Sequence, residues 1–344
     1  MNTGDIIKFL KEYNGRELNL MEVCGTHTAS ISENAIDTLI SDKIHLISGP
    51  GCPVCVTVSS YIDRLCDLAL QGNVIVTFGD MIRVPGSNQA LKDIKSQGTD
   101  IQMVYSPLQA ISLAQAQPDK SFIFAAVGFE TTTPVYAILL DKIIEKNIGN
   151  IKLLTALKTM PAVIERLCMA DSKIDGFIAP GHVAALIGSN AFEPFAKKYS
   201  LPFAVSGFKA EEVLASIYAL VKLQGRGKVV NLYKSVVSEV QNEKAHALVS
   251  KYFEPCSAVW RGIGKIDGSG MKIRDEYARY DAGSVQLTED YSSQKGCCCS
   301  DIITGSKNPH RCPLYKTVCT PENPMGACMV SGEGTCFNYY TNDR

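Results

Sequence analysis

The chain has 344 residues, 46% of them hydrophobic, with 34 Lys and Arg against 35 Asp and Glu and a formal net charge of -1. That length suits about two or three domains with a sizeable core, and the composition excludes a disordered chain. The balanced charge offers no basic field for nucleic acid and no polybasic patch for a membrane surface.

The N-terminal "MNTGDIIKFLKEY" carries Asp5 early and has no long apolar stretch, so it predicts an amphipathic helix rather than a signal peptide. Strand-sized apolar runs then follow in order: "LNLMEV", "KIHLISG", "NVIVTF", "IQMVYS", "SFIFAAVGF", "KLLTALK", "DGFIAP" and "LPFAVSG". Most lead into a helical pattern. Behind the first run, Ile31, Ala35, Ile36, Leu39 and Ile40 keep helical spacing, with Ser30 and Glu33 as a capping box. After "AVGFE", Thr133 can cap a helix with Pro134 in its first turn. "KAEEVLASIYALVKL" is a further amphipathic helix. No run reaches the roughly 18 apolar residues of a membrane-spanning helix, so a cytoplasmic protein is expected.

Alternating strands and helices predict an α/β fold, with two similar lobes of mainly parallel sheet flanked by helices. The lobes are expected at 15–118 and 119–236, parted near "AQAQPDK". From about Val237 the alternation fades and Gly, Pro and Cys become frequent. Residues 237–344, together with the N-terminal helix 1–14, are expected to form an irregular Cys-rich domain.

Ligands of open α/β sheets bind beyond the carboxyl ends of the strands, and the unusual residues fall there. Cys24 and His27 follow the first run, and Cys52 and Cys55 the second. Asp80 and Arg83 follow the third, Glu130 lies in "GFETTTP", and His182 in "APGHV". Cys66 and Cys168 occupy apolar helical positions and read as core. His45 reads as structural or exposed, and His182 as either a turn hydrogen-bonder or a site residue. A bland reading of "FETTTP" as strand end and helix cap leaves Glu130 unused.

Thirteen cysteines without a secretory context point to metal or redox chemistry rather than a disulfide framework. "GPGCPVC" places two sulfurs near a helix start, where the dipole favours thiolate. The pair is a dithiol or a metal site. Seven of the thirteen cysteines lie between Cys297 and Cys336. Cys312, Cys319, Cys328 and Cys336 form a four-thiolate set for zinc or an iron–sulfur cluster, and their spacing does not choose the metal. "GCCCS" adds Cys297, Cys298 and Cys299, as spare, supporting or surface thiols. No Walker-type phosphate loop is present.

Taken together, "CGTHT", "GPGCPVCVT", "GFETTTP", "APGHV" and "CTPENPMGACMVSGEGTC" resemble the HypD family of hydrogenase-maturation proteins, over about Met21 to Cys336. "GCCCS" departs from the Cys-x-Cys-Gly form of that family, with Ser300 in place of the glycine. The resemblance implies two α/β lobes and a third domain carrying a [4Fe–4S] cluster on Cys312, Cys319, Cys328 and Cys336. It implies a complex with a HypC-type chaperone, on which the Fe(CN)2CO unit of [NiFe]-hydrogenase is assembled. Cyanide would come from a HypE–HypF pair, and the hydrogenase large subunit would be served indirectly. Cys24 would ligate the iron. Cys52 and Cys55 would be a redox dithiol beside it, within reach of the metal. His27 and Glu130 are candidates to move protons or hydrogen-bond the cyanides. A free-standing cluster-linked disulfide reductase is the alternative on the same cysteines. A zinc-stabilised binding module is a third.

Overall fold

The computed structural model describes residues 2–170, 173–284, 287 and 296–342. All eight apolar runs form strands: β1 (Leu18–Glu22), β2 (Ile44–Ser48), β3 (Val74–Thr77), β4 (Ile101–Met103), β5 (Phe122–Gly128), β6 (Ile151–Lys158), β7 (Gly176–Pro180) and β8 (Phe203–Ser206). Three more follow: β9 (Val229–Asn231), β10 (Phe253–Trp260) and β11 (Gly264–Ile273).

Two sheets result, ordered β2-β1-β7-β8-β9 and β10-β11-β6-β5-β3-β4. The first is parallel throughout. The second is parallel from β6 to β4, with the β10–β11 hairpin added antiparallel to β6. Sheet membership therefore does not follow the break expected at 114–120. β3 lies before that break and β5 after it, yet they pair directly. β1 pairs with β7, more than 150 residues later. The chain leaves the first sheet after β2, builds four strands of the second, and returns. Local pattern fixes which segments are strands, but pairing partners are chosen by non-local packing.

Strands β3, β5, β7 and β8 are buried at every residue, as continuous apolar parallel strands require. Alternate residues of β5 serve opposite faces: Phe122, Phe124 and Ala126 pack in one core cluster, and Ile123, Ala125 and Val127 in another. In the first sheet, Ile178 joins the cluster of helix Ala210–Lys222, whereas Phe177 and Ala179 join the cluster that contains the C-terminal cysteines. The N-terminal helix Thr3–Lys11 buries Ile6 and Leu10 against Val213, Leu214 and Ile217. Its apolar stripe thus ties it to the first sheet, not to the Cys-rich region expected to hold it.

Two helix starts differ from expectation. The first follows β1 at once, as Gly25–Glu33, so Ser30 lies inside it and Ala35 sits beyond its end in the left-handed region (φ 53°). The other is Thr133–Glu145, whose N-cap is Thr132, with Pro134 in the first turn.

Candidate functional site

In the first sheet β1 has β2 on one side and β7 on the other. The carboxyl end of β1 is thus a topological switch point, where α/β sheets open a crevice. Cys24 lies there as the N-cap of helix Gly25–Glu33. Glu22, the last residue of β1, accepts the Cys24 N–H at 2.9 Å through Oε2 and the Thr28 hydroxyl through Oε1. One carboxyl group so joins the strand end to the first helical turn.

The loop after β2 is locked against this turn. Gly49 N–H donates to the Glu22 carbonyl at 2.8 Å, and Gly25 N–H to the Gly51 carbonyl at 3.2 Å. A Cβ on Gly51 would sit 2.2 Å from the Cys24 nitrogen, so only glycine allows the approach. Cys52 and Cys55 follow, joined in a disulfide with Cα atoms 5.2 Å apart. The next helix begins only at Ser59. The helix-start position expected for the Cys52–Cys55 pair is thus occupied by Cys24. Cys55 faces the C-terminal region, its Sγ 3.9 Å from the carbonyl oxygen of Ala327, the neighbour of Cys328.

Two acids missed in the sequence, Glu22 and Glu333, stand beside Cys24. Burial, then the charges of Glu333 and Glu22, push its thiol up to about 12. Burial pushes Glu22 up to about 7, against the hydrogen bond from Thr28. Glu333 is raised by burial and by Asp80. A Cβ on Gly25 would lie 2.3 Å from the Glu333 Cβ, so this glycine admits the C-terminal segment to the crevice. Arg83 reaches the same segment, donating to the Pro321 carbonyl at 3.1 Å.

His27 is fully buried, its Nε2 3.0 Å from the Gly207 carbonyl and its Nδ1 without a partner among the described residues. Burial lowers it to about 4, which keeps it neutral. Its ring stacks on Phe208, and so does His182 from the other side, with centroids 4.7 and 4.0 Å away. Glu130 Oε1 accepts the Met160 N–H at 2.8 Å, while Oε2 is buried without a partner among the described residues. Glu130 lines a cavity of about 390 Å³ with Pro134, Leu186, Ile187 and Val249.

The C-terminal thiols form one buried group. Cys312, Cys319, Cys328 and Cys336 are 2–8% exposed, and Cys299 and Cys297 pack in the same core cluster. Cys328 hydrogen-bonds Cys299 and Cys336, and Cys297 hydrogen-bonds Cys299. Burial, with the charges of Cys297 and Cys312, raises Cys319. Cys336 responds to Cys328 first, and then to Cys299, Cys319 and Cys297. Glycine again makes room: a Cβ on Gly326 would lie 3.0 Å from the Cys297 Sγ.

With thiols hydrogen-bonded to one another, no three His, Cys, Asp or Glu side chains among the described residues stand in metal-holding geometry. The donor set nevertheless fits an iron–sulfur cluster: soft sulfurs, shielded from water, near backbone N–H groups that would offset their charge. Such groups are present, since Met325 N–H and Cys336 N–H each lie 3.4 Å from a sulfur, those of Cys319 and Cys328. The "GCCCS" thiols, left open by sequence spacing, join the group because the chain folds back at Gly326.

Among the described residues no helix is long and apolar enough to cross a membrane. The family model HypD, described as "Hydrogenase formation hypA family", matches residues 3–343. The chain is 39% identical over 343 residues to the hydrogenase maturation factor HypD of Rhizobium leguminosarum bv. viciae, covering 96% of this chain and 89% of that one. It is 39% identical over 345 residues to that of Cupriavidus necator, covering 96% and 91%. It is 36% identical over 341 residues to that of Escherichia coli, covering 94% and 89%. With the motif-bearing loops and the tail thiols inside the matched span, the chain belongs to the HypD family of hydrogenase-maturation factors.

Proposed function

We propose that this maturation factor is a cytoplasmic scaffold on which, with a HypC-type chaperone, the Fe(CN)2CO unit of [NiFe]-hydrogenase is assembled. The observation that carries the reading is the interlock of two thiol loops with the tail. Gly51 and Gly25 bring the Cys52–Cys55 loop and Glu333 onto Cys24, and Cys55 abuts the residue before Cys328. Cys24 is the iron ligand. Its proton is held tightly in a buried, acidic crevice, so only a strongly thiophilic metal displaces it. Cys52 and Cys55 exchange two electrons and two protons between disulfide and dithiol.

The tail thiols hold a [4Fe–4S] cluster, which supplies one-electron storage beside that pair. The sequence reading assigns it to Cys312, Cys319, Cys328 and Cys336. Cys328 hydrogen-bonds Cys336 and Cys299, Cys297 hydrogen-bonds Cys299, and the charges of Cys297 and Cys312 act on Cys319, so Cys297 and Cys299 flank these four. Cyanide arrives from a HypE–HypF pair, and the large subunit receives the finished unit. Neutral His27 orients the Cys24 helix through Gly207. Glu130, just past β5 and raised by burial to about 7, is the candidate to move protons.

Infrared spectroscopy of the complex isolated from cells with its chaperone tests the reading. Cyanide and carbonyl bands that need both proteins and Cys24 support it. A protein that reduces disulfides alone and never carries these bands is the reductase instead.

A further inference from the structure

The carboxyl end of β6 carries a lysine with no task in this scheme. Lys158 is 2% exposed. Its charged neighbours are Arg261, which opposes its ammonium, and the Cys256 thiol; no carboxylate among the described residues pairs with it. Burial and then Arg261 hold the amine down to about 7, so a large share is the free base at neutral pH. Its Nζ lies 5.8 Å from the Trp260 ring. Lys158 also lines a cavity of about 110 Å³ with Thr155, Cys256, Ser257, Lys272 and Ser284. One water needs roughly 10–15 Å³ of such space, so a triatomic molecule has room beside the amine.

We propose that Lys158 is a nucleophilic amine that takes up carbon dioxide in this cavity as a carbamate. The nitrogen lone pair bonds to carbon, one C=O electron pair moves to oxygen, and the amine gives one proton to solvent. Lys–NH2 and CO2 become Lys–NH–COO− and H+, with no change of oxidation state. The surroundings suit the product better than the reactant's conjugate acid. The Arg261 charge that opposes an ammonium favours an anion. Lys272, held by Glu254 and Asp275, adds a second cation on the cavity wall, and the Thr155 hydroxyl offers a donor, whereas those of Ser257 and Ser284 donate to Asp267 and Asp281.

The full-length protein, equilibrated with 13C-bicarbonate, is examined by 13C NMR beside Lys158→Arg and Lys158→Met. Fluorescence of Trp260, the one tryptophan of the chain, checks that each variant is folded. The wild type is expected to give one carbamate resonance per chain, absent from both variants. Alkyl-oxonium trapping with peptide mass spectrometry is expected to place the carboxyl group on Lys158. A wild type without the resonance, or a folded Lys158→Arg that keeps it, overturns the proposal. If Lys158→Met does not fold, trapping on the wild type decides: a modified residue other than Lys158 overturns it equally. A lysine that merely holds a cation over the indole would stay unmodified.

Discussion

The strand-end loops and the cysteine-rich tail both gather sulfur, by opposite means. Cys24, Cys52 and Cys55 are placed by β1 and β2, whose parallel register runs from Leu18↔Ile44 to Glu22↔Ser48, and by backbone hydrogen bonds through Gly25, Gly49 and Gly51. Their positions need no metal. Residues 296–342 have short helices, turns and an isolated Tyr315–Cys319 bridge. There the sulfurs pack against each other, in the same core cluster as Phe177 and Val205 of the first sheet. A sheet can hold a site before its cargo arrives; in a tail of this kind the proposed cluster would act as a staple.

The largest effect should come from the tail. Cys312→Ala, Cys319→Ala or Cys336→Ala is expected to abolish the brown chromophore and render residues 296–342 sensitive to protease, while the two sheets keep their circular dichroism. Cys328→Ala is expected to behave like these three, and Cys297→Ala to retain the chromophore. Iron and sulfide analysis of the five variants decides, and loss in Cys297→Ala with retention in Cys328→Ala would make Cys297 the ligand instead.

Next comes the loop interlock. Gly51→Ala sets a Cβ against the Cys24 backbone and should cost about 3 kcal/mol in urea unfolding, the upper end for overpacked sites. The loss should appear equally in cluster-free protein. A loss seen only with the cluster present would mean that the loops, too, depend on the tail.

A third test uses a buried strand-end group outside the tail. Burial raises Glu130 from 4.5 to about 7. The folded state therefore holds a proton that the unfolded state has released between those values. Its stabilising contribution is complete below about pH 4.5 and falls as pH rises to about 7, by up to roughly 3 kcal/mol. Glu130→Gln should flatten that slope, with or without the cluster. An unchanged slope would remove Glu130 as its source.

The smallest structural effect is expected for Cys52→Ser and Cys55→Ser. Their bridge closes a very short loop, so stability should change by about 1 kcal/mol or less in this already hydrogen-bonded turn. Cluster content should be unchanged and hydrogenase maturation lost. Normal maturation with both replaced would end the dithiol role.

Much of the molecule was legible in the chain. Eight apolar runs became eight strands because burial on both faces demands unbroken apolar segments. The hairpin Phe253–Ile273 was not legible, since Pro255, Gly264, Gly268 and Gly270 dilute its pattern. Glu22 could have been noticed as an acid ending an apolar strand. Glu333 could not, because its role comes from a contact with Gly25 across more than 300 residues.

The sequence by itself determined eight of the strands, the strand-end placement of Cys24, Cys52 and Cys55, and membership of the family, because these rest on local pattern and motif. Only the tertiary structure decided that the chain weaves between two sheets, that Cys297 and Cys299 join the tail thiols, and that Glu333 meets Gly25 beside Cys24. Those outcomes depend on which surfaces exclude water together, and neighbours in space are chosen by packing rather than by position in the chain.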